Sequence, residues 1–437
     1  MTAVVDKKCN GYMTVYLALT LTVIIALCLA LIEGCRYRGI QLETECVMDI
    51  AMDSILAEYH RELLNQYNLF AIDSSYGAEY ASVKTTERHL LEYMNRNFSL
   101  EDVFLERILY RDFFAIQAQS AKSTEVAFLT DGDGEVFRRL AVDAIKDDVG
   151  IGLLQQIREW MKIIESRGLE ERDIAGEKKS IDEQIREYDG MVTSEGKTIH
   201  IENPTAALEE KRNRGLLNLV LEDKEIACGV IETENLIATR IERGEVSHGN
   251  IDLSGQQDWE EITQKFLFHE YLLQYLGYYG KIKEGSPLGY QVEYAIAGKN
   301  TDPENLHEVV NRIFLIRETA NTIYLVGSEE KFSIAETLGE LLAAAMMVPE
   351  IAGLFTTTLI LGWAFAESVY DVKMILSGEK IPLMKTDSTW HYGLSAVLSG
   401  KLSTSSLEGI TEDQGMGYED YLRIFFMLGD ETTLTHR

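Results

Sequence analysis

Two carboxylates one helical turn apart are the residues of this chain best spaced to do chemistry together. Glu367 and Asp371 stand four residues apart in the otherwise apolar segment WAFAESVYDV, so a helix places both on one face. Such a pair can bind a cation or share a proton. It can equally be paired with an Arg or Lys of a neighbouring element, and both alternatives stay open. Lys385 and Trp390 follow in the loop PLMKTDSTW, a weak candidate contact surface.

Two other motifs begin like metal sites but lack required ligands. DGDGE (131–135) resembles the start of a calcium loop, yet Val136 and Val142 replace the Gly and Glu of its sixth and twelfth positions. The His-Glu dipeptide at His269 begins like a zinc HExxH motif, but Leu273 replaces the second His. We predict a turn at DGDGE, a core-lining helix at His269, and no catalytic residue, cofactor or metal.

The composition limits the classes of partner. The chain has 437 residues, enough for two or three domains, and a formal net charge of −30. Nucleic-acid binding needs a concentrated basic patch, and no large cluster of Lys and Arg is present, so we expect no nucleic-acid partner. Acidic surfaces also repel anionic lipid headgroups, so we expect the bulk of the chain to stand off the membrane.

Five cysteines occur, without a CxxC pair. Cys35 and Cys46 would lie about 16 Å apart on one helix, too far for a disulfide between them. A Cys46–Cys228 bridge stays open, but unpaired, buried cysteines are the preferred interpretation.

The longest apolar run predicts a membrane anchor. Residues 12–32 include no charge, and about 20 apolar residues span a hydrocarbon core. Tyr12 and Tyr16 stand near one end, as interfacial aromatic residues often do. Glu33 follows without a convincing cleavage site, so we prefer a permanent anchor to a cleaved signal or a buried soluble helix. The lipid bilayer is therefore an expected partner of residues 12–32.

The helix is expected to continue past the membrane. Apolar residues recur at helical spacing through residues 33–70, without Pro, so one helix from Tyr12 to about Tyr67 would be on the order of 80 Å long. Lys7 and Lys8 balance Arg36 and Arg38 across the span, so local charge does not set the orientation. A tail of eleven residues most simply stays in the cytoplasm, which places the large C-terminal part outside the cell.

This architecture resembles the TadE/TadG-like pseudopilins and the type IV pilin-like proteins. The leader KKCNG is followed by Tyr12, so Gly11–Tyr12 is similar to a glycine-aromatic processing site. Many pilins have Glu five residues into the mature helix, where this chain has Tyr16. The resemblance implies a helix that both anchors the protein and packs against other subunits. Small residues that would permit close helix packing are Ala18, Ala26 and Ala30.

A second resemblance covers nearly the whole chain. It rests on segments such as GYMTVYLALTL, AMDSILAEYHRELLNQYNLFAID, LTDGDGEVFRR, VEYAIAGKNTDPENL, NRIFLIRETAN, GWAFAESVYDVKMILSGEKIPLMKTDSTW and YEDYLRIFFML. These are similar to an uncharacterised Gram-positive family, a domain of unknown function in single-pass membrane proteins. The resemblance implies a setting near tight-adherence pilus genes and assigns no functional residue. It also implies a truncated C-terminus.

The whole chain is predicted to be mainly α with a small α+β region, and its N-terminal transmembrane helix to continue into a long ectodomain helix. A second apolar stretch, 351–366, is interpreted as a buried core helix, with a second membrane span as the alternative. The predicted segments are a basic leader (1–11), the transmembrane helix (12–32), a juxtamembrane helix (33–70), a small α+β region (71–150), a charged helical arm and linker (151–203) and a helical domain (204–437).

Two functional hypotheses follow. The first is a non-enzymatic, single-pass surface protein, a pseudopilin-like accessory of a tight-adherence-type pilus or envelope assembly. Its partners would be the bilayer and pilus or pseudopilin subunits. The second is a membrane-tethered cell-envelope enzyme with a site near Glu367, Asp371 and Lys385. An open polar pocket at these side chains would favour the enzyme, and pairing inside a packed core would remove it.

Overall fold

The chain folds into two compact units, each built mainly of helices. The computed structural model describes residues 11–99, 114–147, 150–192, 196–213, 215–221, 224–232, 241–242, 247–249, 261–400, 402 and 415–429. The first unit comprises Met1–Ala127 and Asn235–Ile251, and the second comprises Phe128–Glu234 and Asp252–Arg437. The predicted leader, apart from Gly11, lies outside the described residues. The mainly helical fold predicted from the sequence is confirmed, whereas the six-segment division stays a prediction.

The first unit combines a long helix with shorter elements. Its described helices are α1 (Gly11–Leu56), α2 (Arg61–Tyr67) and α3 (Val83–Phe98). Its described strands have two residues each and are β1 (Ala81–Ser82), β2 (Glu125–Val126), β3 (Ile241–Glu242) and β4 (Ser247–His248). β1 pairs in parallel with β3, and β2 with β4.

The long N-terminal helix is continuous but shorter than expected. α1 has 46 residues, which corresponds to a length of about 69 Å, and neither Gly34 nor Gly39 interrupts it. The expected end near Tyr67 is wrong, because the chain leaves the helix after Leu56 and begins α2 at Arg61. His60 is extended and accepts a hydrogen bond from the Leu63 N–H through Nδ1, at 3.0 Å. The break is therefore a capped helix start and not a bend.

The end of α1 beyond the apolar run packs against α3. Val47, Ala51 and Ile55 repeat every four residues and are buried against Leu90, Met94 and Phe98, which share that spacing. Matching rows of this kind interlock as ridges and grooves. The apolar helix is therefore joined to a folded unit through its own continuation.

The second unit contains most of the helices. Those described are α4 (Asp131–Ile145), α5 (Ile151–Arg167), α6 (Ile174–Tyr188), α7 (Ala206–Asn213), α8 (Leu216–Leu221), α9 (Glu261–Tyr275), α10 (Gln291–Ala297), α11 (Asp302–Gly327), α12 (Glu329–Ala345), α13 (Ala352–Leu376), α14 (Leu394–Ser399) and α15 (Tyr418–Leu428). A 3-10 helix, Pro349–Ile351, precedes α13. DGDGE begins α4 as a left-handed turn, with positive φ at Gly132, Asp133 and Gly134.

The centre of the second unit is α13. Its neighbours include α12, α11, α8 and α6, and almost every residue from Phe355 to Leu376 is buried. The segment is long and apolar enough to cross a membrane, but 78% of its most apolar stretch is buried inside the protein. That burial is what a core helix requires, because a lipid-facing helix exposes its apolar side chains.

The cysteines differ from the expectation in one respect. Cys28, Cys35, Cys46 and Cys228 are free thiols, so no Cys46–Cys228 disulfide is formed. All four are exposed, whereas buried thiols were expected. The difference for Cys28, Cys35 and Cys46 arises because no described element covers these three positions of α1.

A glycine at the α12–α13 contact supplies a test of this core. A methyl group at Gly339 would lie 2.8 Å from the backbone nitrogen of Thr356 and 3.1 Å from the Ala352 carbonyl oxygen. We expect Gly339→Ala to lower the free energy of unfolding by about 1–3 kcal/mol, because the two backbones must separate. Urea denaturation of the full chain in detergent measures this change.

The matched control is Gly353→Ala on the facing helix, where a methyl group meets no atom within 4 Å. Alanine favours a helix over glycine by up to about 1 kcal/mol, so this variant should be neutral or slightly more stable. Equal losses in the two variants would show that α12 and α13 do not approach each other in this way.

Candidate functional site

The carboxylates singled out from the sequence lie on the side of α13 that faces α11. Glu367 and Asp371 are one turn apart, and Ser368 lies between them. Arg317 and Asn321 face them from α11 at the same four-residue spacing. All five side chains are buried. The i, i+4 repeat on both helices therefore brings polar groups together at a helix–helix contact, inside an apolar core.

Arg317 is hydrogen-bonded through each of its nitrogens. Nε and Nη2 donate to Asp371 Oδ2 at 3.0 and 2.7 Å. Nη1 donates to the carbonyl oxygens of Pro382 and Leu383 at 2.8 and 3.0 Å. Asn321 Nδ2 also donates to Asp371 Oδ2, at 2.9 Å. Buried charges are tolerated when they are paired and hydrogen-bonded, and Arg317 meets both conditions.

Lys385 completes the site from the loop after α13. Its Nζ pairs with Asp371 Oδ1 at 2.6 Å and with Glu367 Oε1. The Glu367 carboxylate also accepts the N–H groups of His391 and Tyr392, both at 2.8 Å. We call Arg317, Glu367, Asp371 and Lys385 the ion-pair cluster; its two cations balance its two anions.

The surroundings shift the acid–base properties of the cluster. Burial alone would raise the pKa of Asp371, but the positive charges of Arg317 and Lys385 outweigh burial and lower it. Burial likewise opposes the charged form of Arg317, yet Asp371 raises the pKa of that guanidinium. Burial raises the pKa of Glu367 in spite of the nearby Lys385 charge. The Arg317–Asp371 pair is therefore held ionised, which suits a structural link between helices.

Aromatic rings close the cluster on the loop side. Lys385 Nζ lies 5.5 Å from the ring centre of Tyr370 and 5.8 Å from that of Trp390. Trp390 Nε1 and Trp363 Nε1 both donate to the Tyr392 carbonyl oxygen, at 2.8 and 2.6 Å. Cation–π contact and these hydrogen bonds fix the rings over the ammonium group.

The expectation that Lys385 forms part of a contact surface is wrong. Only 5% of the residue is exposed, because its charge is satisfied by Glu367 and Asp371. Trp390 is half-buried and stacks on Tyr324, with ring centres 5.1 Å apart. The cluster is thus paired inside a packed core, and this geometry gives no support to the enzyme hypothesis. The contacts instead match the other alternative, in which the two carboxylates are paired with an Arg or Lys of neighbouring elements.

His269 also lies in the core. It stacks on Phe426 at 4.9 Å between ring centres, and neither ring nitrogen has a hydrogen-bond partner among the described residues. Burial, with the nearby charges of Lys265 and Arg138, lowers its pKa to about 3. The neighbouring residue of the dipeptide, Glu270, forms an ion pair with Arg423, at 2.7 Å. Within the described part of the chain, no group of three or more potential metal ligands is found.

Two buried carboxyl groups that are not members of the cluster have raised pKa values. Glu293 Oε1 accepts hydrogen bonds from the Tyr279 N–H at 2.8 Å and the Tyr418 hydroxyl at 2.6 Å. Burial raises the pKa of Glu293 to about 7, although these hydrogen bonds act in the opposite direction. Burial also raises the pKa of Glu318 to about 7 in spite of its ion pair with Arg212. Both groups therefore titrate near neutral pH inside the fold.

An open cleft lies elsewhere, near the start of α11. Its volume is about 450 Å³, and it is lined by Gly215, Leu217, Asn218, Lys299, Pro303, Glu304, His307 and Glu308. None of the residues singled out from the sequence lines it. The cleft and the ion-pair cluster are therefore separate features.

Two of the buried charged residues, Arg317 and Glu293, were not identified from the sequence. The pairing partner of Asp371 was expected to be an Arg or Lys, but Arg317 was not identified. One pattern in the sequence could have indicated it. Arg317 and Asn321 are four residues apart, on the side of the helix NRIFLIRETAN that otherwise carries apolar residues. Glu293 lies in a short helix whose apolar pattern is too brief to reveal which face is buried.

The membrane-length part of α1 differs sharply from these buried sites. None of its most apolar stretch is buried inside the protein. Ala18, Ala26 and Ala30 are exposed, and Thr22 completes a row of small residues at four-residue spacing. The Thr22 hydroxyl donates to the carbonyl oxygens of Ala18 and Leu19, at 3.0 and 2.8 Å. This row therefore presents no unsatisfied polar group to a neighbouring helix or to lipid.

Comparison with known proteins identifies one relationship. The model of a family of unknown function, DUF5702, matches residues 194–437, which is more than half of the chain. No match was found among curated proteins or among solved structures. The matched region includes the whole ion-pair cluster and begins after α1.

The structural role of the ion-pair cluster can be tested on α11. We expect Arg317→Met to lower the free energy of unfolding by about 3 kcal/mol or more, because it leaves buried acceptors without their donor. Arg312, on the same helix, pairs with Glu170 at a partly exposed site, so Arg312→Met should cost only about 1 kcal/mol. Urea denaturation of the full chain in detergent, followed by tryptophan fluorescence, compares them.

The double variant Arg317→Met with Asp371→Leu should recover part of the loss, since replacing both charges removes the unpaired acceptor. Equal losses for the Arg317 and Arg312 variants would contradict a structural role for the cluster.

Proposed function

The chain belongs to DUF5702, a family of unknown function, and from that premise we propose that it is a membrane-anchored surface protein that serves as a pseudopilin-like accessory of a tight-adherence-type pilus or envelope assembly. The proposal assigns the anchoring and assembly roles to α1. It places the large C-terminal part outside the cell and assigns no reaction to it.

The observation that carries the proposal is the continuity of α1. Its apolar part is long enough to cross a bilayer and is uncovered, while its continuation is buried against α3. Glu33 follows the apolar run without a convincing cleavage site, which favours a retained anchor over a removed signal sequence. The first unit is thereby attached to the membrane without a flexible linker.

The position of α1 along the chain supports the assembly role. An N-terminal apolar helix that runs directly into a folded region is the arrangement that the resemblance to pseudopilins implies. Ala18, Thr22, Ala26 and Ala30 form a row on which another helix can approach closely. Gly11–Tyr12 is the proposed processing site of the leader, and Gly11 is the first described residue of α1.

Charge supports the proposed location of the C-terminal part. The formal net charge is −30, and such a surface is repelled by the anionic lipids of a cytoplasmic leaflet. The short N-terminal tail is the simpler segment to leave in the cytoplasm. Together these features support a single-pass protein whose folded units lie at the cell surface.

The assembly role predicts that a bulky residue in the small-residue row weakens subunit contacts. We expect Ala26→Phe to reduce co-purification with pilus-type subunits about fivefold, because a steric cost near 1 kcal/mol changes an equilibrium constant by that factor. The measurement is quantitative mass spectrometry of the protein isolated from its native membrane. Resistance to alkaline extraction should stay unchanged.

The matched control is Ile25→Phe, which adds bulk at the same depth about 100° around the helix. It should leave co-purification near the unmodified level. Unchanged co-purification in Ala26→Phe, or equal loss in both variants, would contradict assembly through this row.

A further inference from the structure

The lysine of the ion-pair cluster is enclosed together with two carboxylates. Lys385 Nζ pairs with Asp371 Oδ1 at 2.6 Å and with Glu367 Oε1. The side chain of Lys385 is 1% exposed, and those of both carboxylates are fully buried. An amine and a carboxyl group that are held in contact away from water can condense to an amide, because their positioning replaces a bimolecular encounter. The contacts of this ion pair are therefore those that a covalent cross-link requires.

We propose that Lys385 Nζ forms an amide bond with the side-chain carboxyl carbon of Glu367 and so cross-links the second unit. The reaction joins an ammonium group and a carboxylate and releases one water molecule, so it needs no oxidant, cofactor or second substrate. It takes place once in each chain and is a self-modification, not the turnover of a substrate. It does not depend on the proposed pilus role.

The charge balance of the cluster selects Glu367 over Asp371 as the acceptor. Condensation with Glu367 removes one positive and one negative charge and leaves Asp371 paired with Arg317, at 2.7 Å. Condensation with Asp371 would deprive both Glu367 and Arg317 of their ion-pair partners. Buried charges without partners are costly. Burial also raises the pKa of Glu367, which favours the neutral acid that an amine attacks more readily.

Asp371 is placed to move a proton during the reaction. Its Oδ2 accepts hydrogen bonds from Arg317 and Asn321, whereas its Oδ1 faces the lysine ammonium group. Nζ first passes one proton to Glu367, which leaves a free amine beside a neutral carboxyl group. The lone pair of Nζ then forms the bond to Glu367 Cδ. Asp371 Oδ1 takes a second proton from Nζ and returns it to the departing oxygen, which leaves as water.

Two main-chain N–H groups can stabilise the charge that forms during this step. His391 donates to Glu367 Oε1 and Tyr392 donates to Oε2, both at 2.8 Å. Negative charge builds up on an oxygen when Nζ bonds to the carboxyl carbon, and preorganised donors lower that barrier. The ring centres of Tyr370 and Trp390 lie 5.5 and 5.8 Å from Nζ and cover it on the loop side.

A second lysine of the same unit meets only some of these conditions. Lys178 pairs with Asp182 at 2.9 Å and with Glu209, so it too contacts two carboxylates. The side chains of Asp182 and Glu209 are 16% and 29% exposed, and water that hydrates a carboxylate opposes its condensation. We therefore expect no amide at Lys178, which makes it an internal control.

The cross-link would hold the loop after α13 to that helix. Glu367 and Lys385 are 18 residues apart. The segment between them includes Pro382 and Leu383, whose carbonyl oxygens accept hydrogen bonds from the α11 guanidinium. Closing a loop restricts the unfolded chain, as a disulfide does. The described cysteines are free thiols, so the amide would supply a covalent link that reducing agents do not break.

Mass spectrometry of the full chain, purified in detergent from its native membrane, tests the proposal. We expect an intact mass lower than that of its sequence by one water molecule. Because trypsin does not cleave after an acylated lysine, digestion should yield a branched peptide that joins residues 332–373 to residues 381–401. Fragment ions should place the amide between Glu367 and Lys385. The matched control Lys385→Arg keeps the positive charge, cannot form the amide, and should have its full sequence mass.

Two variants separate the proton transfer from general damage to the core. Asp371→Asn should lower the fraction of cross-linked chain at least about tenfold, because a positioned base contributes about 10²–10⁴-fold in rate. Asn321→Ala removes another hydrogen bond of Asp371 but leaves Oδ1 in place, so it should retain most of the cross-link. Equal losses in these two variants would contradict the role of Asp371.

The proposal as a whole is overturned by a folded chain that has its full sequence mass and is cleaved by trypsin after Lys385. A branched peptide whose amide lies at Asp371 would overturn the choice of acceptor. An amide at Lys178 would contradict the argument that exclusion of water from the carboxylates decides where the reaction takes place.

Discussion

Removal of the apolar side chains of α1 from water is the constraint on which the organisation of the first unit depends. The described residues bury none of the most apolar stretch of this helix, and a bilayer is an environment that can bury it over its full length. The same helix then continues as the row Val47, Ala51 and Ile55, which α3 covers. One helix therefore joins a segment long and apolar enough to cross a membrane to a folded core.

In the second unit, the main constraint is that charged side chains are buried at a helix–helix contact. Arg317 and Asp371 are placed in a core by α11 and α13, and the loop after α13 supplies Lys385 and the main-chain carbonyl oxygens. Such a cluster need not add stability compared with apolar residues of equal volume, but it penalises any arrangement that separates its members. Its value to the fold is accordingly the alignment of α11, α13 and the loop that carries Trp390.

Helical periodicity predicted much of the fold and less of the detail. The apolar run and the spacing beyond it predicted a continuous helix from the membrane segment, which is confirmed through Leu56. Its end was missed because the apolar pattern runs on to Tyr67. Contacts of distant residues accompany the break: Glu58 accepts a hydrogen bond from the Tyr93 hydroxyl at 2.7 Å. Lys385 was a weak candidate for a contact surface, and its pairing with Glu367 and Asp371 of the preceding helix accounts for its burial.

The most direct test of membrane anchoring is the intact mass of the mature chain, measured on the membrane fraction of its native host. We expect a chain that retains α1, beginning at Met1 or, if the leader is processed, at Tyr12. A start at Tyr12 would add support for pseudopilin-type maturation. A mature chain that begins after Glu33 and is recovered in the soluble fraction would contradict the permanent anchor, and with it the assignment of α1 as the element that attaches the protein to the membrane.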